Sequence, residues 1–258
     1  MDIDYQFECL SQSLRMQLEQ INKYPTLVEI DEKEAIFNIE IIVKSVLDCF
    51  HNVYDAIQSL SHRTIDFYQY PELHLILLLR NARHHNDDLK SIFFENQDVN
   101  YVDFLFEEDR FPCLTYPLSW ADIVNKINSN SKSAAKYQEI RAYLKADDFE
   151  NTCSSSGATN EQIYINIIPL MLQAGRKLVD LCKSYIPNNL TTIEAKFFLQ
   201  HFNTLPSVIK PQVRFPYNKE EYAKDIVRII HITDEVSKII FNGAPNPYHE
   251  EIKYKPFG

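Results

Sequence analysis

Titratable and polar side chains follow an apolar run at residues 77–88, which read LLLRNARHHNDD. Arg80 and His84 are four residues apart, and Asn81 and His85 have the same spacing. On a helix, residues four apart lie on the same face, so one flank would carry all of these side chains. Near neutral pH an imidazole can take up or release a proton, and a guanidinium can bind two oxygens of a phosphate. The residue types and their spacing therefore predict a site for proton transfer at a bound phosphate.

Cleavage of an RNA phosphodiester is the reaction that this group of side chains suits best. Histidine can accept the proton of a ribose 2′-hydroxyl or protonate the leaving 5′-oxygen. Arginine can stabilise the negative charge that develops on the non-bridging oxygens, and asparagine can orient the phosphate or the imidazole. Because RNA supplies its own nucleophile, the reaction requires no metal. Its products would be a 2′,3′-cyclic phosphate and a 5′-hydroxyl.

The helix that must position these side chains is predicted to open at Pro71, because proline fits the first turn of a helix. It is predicted to run from Glu72 to about Phe93. Its apolar residues would pack into the core and hold the polar flank on a rigid backbone; they are Leu75, Leu78, Leu79 and Ala82.

A longer amphipathic helix is predicted over residues 33–61, where apolar residues recur at alternating steps of three and four. This stripe predicts a face that packs into the core. A helix–helix seam between two subunits is the alternative. The members of the stripe are Ile36, Ile39, Val43, Val46, Phe50, Val53, Ile57 and Leu60.

The remaining chain also shows mainly helical periodicity, and the whole predicts an all-α protein of seven to nine helices. Pro169 lies inside one predicted helix, which must therefore kink or begin later. Residues 98–118 are less regular and are predicted to form a strand or an extended loop, and residues 151–160 to form a linker. The other helices are predicted at about 5–23, 119–128, 132–146, 161–185, 191–203 and 218–241.

The spacing Arg80-Asn81-x-x-x-His85 resembles the motif of the HEPN-domain ribonucleases, in which an arginine and a polar residue precede a histidine. The resemblance spans about residues 30–95. It implies an HEPN-like helical bundle, here with additional C-terminal helices, and metal-independent endoribonuclease activity. It also implies a homodimer whose two motifs face each other across one cleft. Such proteins commonly act as toxins paired with an antitoxin or in antiviral defence.

The resemblance assigns roles to individual residues. Arg80 would bind the phosphate of RNA, Asn81 would be its polar partner, and His85 would be the general acid and base. His84 takes the catalytic role if the register shifts by one residue. Two further cations, Arg83 and Lys90, would add to RNA binding. The family often directs a polar residue of the preceding helix towards the site, and the candidates are Glu40, Lys44, Asp48 and His51.

Two other interpretations of this stretch stay open. In the first it is a solvated helix end, where cations complement the helix dipole and residues 86–88 are polar surface. The protein would then be a non-catalytic helical interaction protein, such as an antitoxin, an adaptor or a sensor subunit of a defence system. In the second, His84 and Asp88 begin a metal site whose other ligands come from elsewhere. The preferred interpretation needs neither a metal nor a cofactor.

The domain organisation follows from the helical pattern. The whole of residues 1–258 is expected to form a single all-helical domain. A subdivision into an HEPN-like bundle at 1–150 and a helical extension at 160–245 is the alternative, because the predicted linker separates the two.

Composition disfavours several other function classes. The four glycines stand far apart, so Gly-rich phosphate loops and dinucleotide-binding fingerprints have no support. The formal net charge of -10 argues against indiscriminate nucleic-acid binding and leaves room for a local basic site. The five cysteines lack a Cys-x-x-Cys pair, which is typical of free thiols in a reducing compartment. Without a signal-peptide pattern or a membrane-length apolar run, a cytoplasmic protein with no membrane partner is expected.

Other titratable residues receive structural interpretations. The pair His62 and Arg63, at the end of the long helix, is predicted to cap it rather than to add charge near the site. His74 is expected to be half buried. Cys49 and Cys182 fall inside apolar helices and are predicted to be small core residues.

Overall fold

The computed structural model describes residues 2–84, 99–103, 117–129, 131–155, 159, 163–186, 190–202 and 213–218. The chain divides into two compact units: Met1–Gln97 with Val102–Phe215, and Asp98–Tyr101 with Pro216–Gly258. Most of the second unit lies outside the described residues. The helices α1 to α9 introduced below all belong to the first unit.

Two long helices, α1 (Ile3–Ile30) and α2 (Glu32–Leu60), pack along each other. A single residue, Asp31, joins them. Its backbone N–H donates to the Leu27 carbonyl at the end of α1, and its carboxylate accepts from the Glu34 N–H at the start of α2. One extended residue thus caps both helices, because an aspartate can satisfy the free N–H groups of a helix start. Helix α1 is longer than the predicted 5–23, since it continues to this shared cap.

The predicted apolar stripe of α2 is buried at every position except Leu60. It packs into the main core, which confirms the core interpretation of the stripe. Helix α1 contributes its own buried face, formed by Phe7, Leu10 and Leu14. Burial of these side chains provides most of the free energy that holds the hairpin together, since each fully buried large apolar side chain contributes about 1.5–3 kcal/mol.

Helix α3 (Pro71–His84) is the central helix of this unit. It contacts α2, α4, α6 and α8, and every residue from Leu73 to Leu79 is buried. A helix that is apolar on all sides is expected at such a position. The predicted start at Pro71 is confirmed, and the predicted continuation beyond His84 lies outside the described residues.

A 3-10 turn (Phe67–Gln69) precedes α3, and six shorter helices follow it. Helix α8 packs on α3, and α9 packs on α1, so helices on both sides of residues 151–160 contact each other. The short helices are α4 (Trp120–Asn128), α5 (Ser131–Ala134), α6 (Tyr137–Leu144), α7 (Ala146–Ser155), α8 (Ile168–Cys182) and α9 (Ile193–His201).

Four of these helices differ from the prediction. The single helix expected at 132–146 is divided into α5 and α6, and Lys145 ends α6 in a left-handed conformation. The linker expected at 151–160 is helical as far as Ser155, because Cys153 is buried and anchors the last turns of α7. Pro169 lies in the first turn of α8, so this helix begins later rather than kinking.

Four short strands form a sheet in the order β1-β4-β3-β2. Strand β3 (Tyr164–Asn166) pairs antiparallel with β2 (Pro117–Ser119) and with β4 (Val213–Asn218). Strand β1 (Val99–Asp103) lies in the segment that was predicted to be a strand or a loop. The chain is predominantly helical, as predicted, and this small sheet is an addition to the predicted fold.

Candidate functional site

The candidate site lies near the end of α3, where the buried helix first carries partly exposed polar residues. The Arg80 side chain is 20% exposed, and its Nε donates to Oδ1 of Asp48 at 3.2 Å. Asp48 lies on α2 and is 40% exposed. Of the four polar residues that the sequence offered on the preceding helix, Asp48 is therefore the one that contacts Arg80. Packing of α2 against α3 brings the two together.

Asn81 links this ion pair to a tyrosine. Its Oδ1 accepts from Nη1 of Arg80 at 3.2 Å, and its Nδ2 donates to the hydroxyl of Tyr68 at 3.4 Å. Tyr68 lies on the 3-10 turn, where Asp66 Oδ1 accepts from the Tyr68 N–H at 3.0 Å and from the Tyr54 hydroxyl at 3.2 Å. A continuous polar network thus runs from α2 through the turn to α3.

Within the described residues, the guanidinium of Arg80 is held by two partners that leave some of its N–H donors unused. An arginine side chain has five N–H donors in a rigid fork. Asp48 accepts from Nε and Asn81 accepts from Nη1, while Nη2 has no partner among the described residues. A partly exposed guanidinium with a free edge can bind one more anion, and a phosphate has the matching geometry.

The structure locates the predicted site residues unequally. Arg80 and Asn81 share one network, as the spacing required. Arg83 and His84 are the last two residues of α3, with His84 four residues after Arg80. His85 and Lys90 lie outside the described residues, so their predicted roles stay predictions.

Tyr68 is the site residue that sequence reasoning missed. It precedes α3 by only a few residues, within the sequence DFYQYP at 66–71. The 3-10 turn, which Asp66 caps with its side chain, brings the Tyr68 hydroxyl to Asn81. The tyrosine, the cap and the following proline are visible in the sequence, but no helical spacing relates Tyr68 to Asn81.

His74 is more deeply buried than predicted, at 2% exposure. Its Nε2 lies 3.0 Å from the hydroxyl oxygen of Ser133, on α5. Burial lowers the pKa of His74, so the imidazole is neutral near pH 7. The nearby carboxylates of Asp66 and Glu139 oppose this shift, and Lys136 adds to it.

The described cysteines are free thiols, as predicted, and three of them, Cys49, Cys153 and Cys182, are poorly suited to nucleophilic catalysis. Burial raises the pKa of Cys49 and Cys153, and it raises the pKa of Cys182 to about 12. A cysteine nucleophile needs a lowered pKa, because the thiolate is the reactive form. Cys49 and Cys182 are buried core residues, as the sequence predicted.

Within the described part of the chain, no three histidine, cysteine or acidic residues are grouped so that they could hold a metal ion. Asp88, which the metal interpretation requires, lies outside that part. Among the described helices, none is both long enough and apolar enough to cross a bilayer.

The chain was compared with family models, with curated proteins and with solved structures, and no match was found in any of the three.

Proposed function

We propose that the protein is a metal-independent endoribonuclease of the HEPN type, acting as a toxin or as an effector of anti-phage defence. The observation that carries the proposal is the position and hydrogen bonding of the Arg80 guanidinium. Its guanidinium is fixed by Asp48 and Asn81 at the edge of a buried helix, and its Nη2 edge has no partner among the described residues. Preorganised donors of this kind stabilise the charge that develops on a phosphate during transfer.

The proposed reaction assigns one step to each residue. Arg80 binds the non-bridging oxygens of the scissile phosphate, and Asn81 keeps the guanidinium in place. His85 removes the proton from the 2′-hydroxyl, and the 2′-oxygen attacks the phosphorus. The protonated His85 then gives this proton to the 5′-oxygen as the bond between that oxygen and phosphorus breaks. His84 takes this role if the register shifts by one. Arg83 and Lys90 attract the neighbouring phosphates of the strand.

The proposed assembly is a homodimer in the cytoplasm, with RNA as substrate and an antitoxin or another defence protein as restraint. Two copies of the motif facing each other would supply two arginines and two histidines to one phosphodiester. This arrangement explains how a chain with a net charge of -10 can bind RNA, since the positive charge would be concentrated in a single cleft.

A second candidate is a non-catalytic interaction protein. The observation that favours it is also the network of Arg80, since these hydrogen bonds join α2, the 3-10 turn and α3. A purely structural arginine would make such bonds. If the protein is the ribonuclease, we expect Arg80→Lys to lower the cleavage rate, because lysine keeps the charge but loses the rigid fork. The interaction protein has no cleavage activity for this variant to lower.

The test is an RNA cleavage assay on purified protein with Arg80→Ala, Arg80→Lys, His84→Ala and His85→Ala. We expect Arg80→Ala and His85→Ala each to lower the cleavage rate by a factor of about 100 or more, with unchanged helix content by circular dichroism. Lys183→Ala, which removes an exposed cation at the end of α8, is the matched control and should cleave as the parent does. Loss of activity in His84→Ala but not in His85→Ala would identify His84 as the general base. Full activity in Arg80→Ala would show that Arg80 takes no part in cleavage, and no cleavage by the parent would leave only the interaction protein.

A further inference from the structure

A cavity of about 850 Å³ with both polar and apolar lining includes Tyr68, the partner of Asn81, in its wall. Its volume falls within the range of roughly 300–1,000 Å³ that is usual for small-molecule sites. The network of Arg80 and Asn81 ends at the Tyr68 hydroxyl, and the Tyr68 side chain lines the cavity. The residues that give the cavity its chemistry are Tyr54, Arg63, Asp66, Tyr68, His74 and Lys136.

The charge of the cavity wall favours an anion. The Asp66 carboxylate is already bound by the Tyr54 hydroxyl, the Tyr68 N–H and the Gln69 amide. The Lys136 amine pairs with Glu139 at 2.9 Å. Arg63, in contrast, has no ion pair and no side-chain hydrogen bond within the described residues. An arginine without a partner at the wall of a cavity is a ready site for a phosphate or a carboxylate.

The backbone holds Arg63 in this position at a conformational cost. His62 and Arg63 both have positive φ angles, of 50° and 62°, which side chains other than glycine rarely adopt. The turn ends α2, as the capping prediction required, with the Arg63 N–H donating to the Gln58 carbonyl at 2.9 Å. Glycine would form this turn without strain. A left-handed residue commonly follows the end of a helix, and here it fixes the backbone from which the Arg63 side chain reaches the cavity wall.

Aromatic rings line another part of the cavity wall, away from the charge of Arg63 in chemical character. Tyr68 packs edge-on against Tyr54, with ring centroids 5.9 Å apart, and against His74, at 5.0 Å. The His74 imidazole, whose Nε2 lies against the Ser133 hydroxyl, is neutral and adds no charge to the cavity. A ligand that combines a flat, polar ring with one anionic group would match both parts of the cavity.

We infer that the cavity binds a mononucleotide unit, with its phosphate at Arg63 and its base against Tyr54 and Tyr68. The unit can be a free nucleotide or one nucleotide of an RNA strand, because both offer the same chemistry. In the second case the inference rests on the proposed ribonuclease function, and in the first case it does not.

Calorimetric titration in EDTA would test the inference with separate ligands. The ligands are the four 5′-mononucleotides, the matching nucleosides, inorganic phosphate and an RNA tetranucleotide with 2′-O-methyl riboses that cannot be cleaved. We expect at least one mononucleotide, or the tetranucleotide, to bind more tightly than phosphate or any nucleoside. Binding of a mononucleotide identifies a free ligand, and binding of the tetranucleotide alone identifies a strand.

Two variants connect the binding to the cavity. Arg63→Gly removes the guanidinium and suits the positive φ angle, so it should fold at least as well as the parent and bind at least tenfold more weakly. Ala135→Trp adds a large side chain at the cavity wall and should abolish binding. Lys183→Ala serves again as the charge-matched control and should bind normally.

The inference is overturned if no nucleotide or tetranucleotide binds, if phosphate binds as tightly as any nucleotide, or if Arg63→Gly binds like the parent. The same proteins separate it from the proposed function. Arg80→Ala should still bind a mononucleotide while it fails to cleave RNA. A parent protein that binds nucleotides and cleaves no RNA would support the inference and contradict the proposed function. A parent protein that cleaves RNA and binds no nucleotide at the cavity would contradict the inference and support the proposed function.

Discussion

Two side chains, Asp48 and Asn81, hold Arg80 directly, and Tyr68 acts through Asn81. Asp48 on α2 provides the opposite charge, while Asn81 provides a neutral acceptor and passes the contact on to Tyr68. Because Asp48 is 40% exposed, solvent screens this ion pair, and we expect it to contribute at most about 1 kcal/mol to stability. Its main effect is therefore on the direction of the guanidinium.

Removal of Asp48 should consequently affect activity more than stability. We expect Asp48→Ala to lower kcat/KM for RNA about 10-fold or more, because a guanidinium without its partner no longer points at the phosphate. Asp48→Asn keeps an acceptor oxygen at the same place and should retain most of the activity. Steady-state cleavage rates and the urea midpoint of both variants provide the comparison. Unchanged cleavage by Asp48→Ala would show that the ion pair does not position Arg80.

Sequence spacing was sufficient to find Arg80 and Asn81 and insufficient to find what holds them. Residues on one helix have a fixed geometry, so their relation can be read from the sequence. Asp48 is 32 residues from Arg80. Four polar residues of α2 were candidates for contact with the guanidinium, and only the packing of α2 on α3 decides which of them faces it. Tyr68 depends on a 3-10 turn and has no periodic signal.

His74 should make the stability of the protein depend on pH. Burial lowers the pKa of His74 in the native state. Between that lowered pKa and the unfolded-state histidine pKa of about 6.5, the unfolded chain is protonated at His74 and the native state is not. The free energy of unfolding is therefore unaffected by His74 above about pH 6.5 and falls as the pH decreases from there towards the lowered native pKa. His74→Gln stays neutral and can still bond to Ser133. Urea unfolding at pH 7.5 and pH 5.5 should show a smaller loss for the variant, and an equal loss would exclude His74 as the cause.

At the scale of elements, the long helices were predictable and the short elements were not. The stripe over 33–61 gave α2 almost to the residue, because eight periodic positions leave little freedom in the choice of face. The break between α5 and α6 has neither glycine nor proline to mark it. The helix predicted at 161–185 includes the residues of strand β3, although Ile163, Ile165 and Ile167 alternate and are all buried. Three strand residues are too few for a period of two to outweigh the helical pattern that follows.

The packing of α8 against Phe202, at the end of α9, gives a prediction in which two effects have opposite signs. A Cβ added to Gly175 would lie 2.5 Å from the Phe202 ring. Helix propensity alone would make Gly175→Ala more stable by up to about 1 kcal/mol. Because Phe202 is buried and cannot move freely, we expect destabilisation by about 1–3 kcal/mol instead.

Thermal unfolding of Gly175→Ala, Phe202→Leu and the double variant would measure this contact. The smaller leucine makes room for the new methyl group, so the double variant should be less destabilised than the sum of the single variants. A more stable Gly175→Ala protein would mean that α8 and Phe202 do not approach as closely as described.

At the scale of the whole molecule, the proposed function requires two copies of the chain. We expect light scattering after size exclusion to give twice the mass of one chain, and the active cleft to depend on that association. Dilution below the dimer dissociation constant should then reduce the specific cleavage activity. A monomeric protein at high concentration that still cleaves RNA would remove the composite cleft from the account.

The acidity of the chain makes a salt test informative as well. Because the net charge is -10, RNA binding must come from a local group of cations. Binding should weaken steeply with salt, with a slope that reports the few phosphates contacted. Binding of the 2′-O-methyl tetranucleotide to the Arg63→Gly variant, which lacks the guanidinium of the cavity, would measure that slope at increasing salt. A flat response would argue against phosphate contacts by Arg80, Arg83 and Lys90.

The most direct measurement is the chemistry of RNA cleavage in EDTA. Two labelled RNAs of the same sequence would be used, one with ordinary riboses and one with 2′-O-methyl riboses. The account predicts that the parent protein cuts only the first, that its fragments end in a 2′,3′-cyclic phosphate, and that Arg80→Ala cuts neither. No cleavage by the parent, equal cleavage of the methylated RNA, or undiminished cleavage by Arg80→Ala would contradict it.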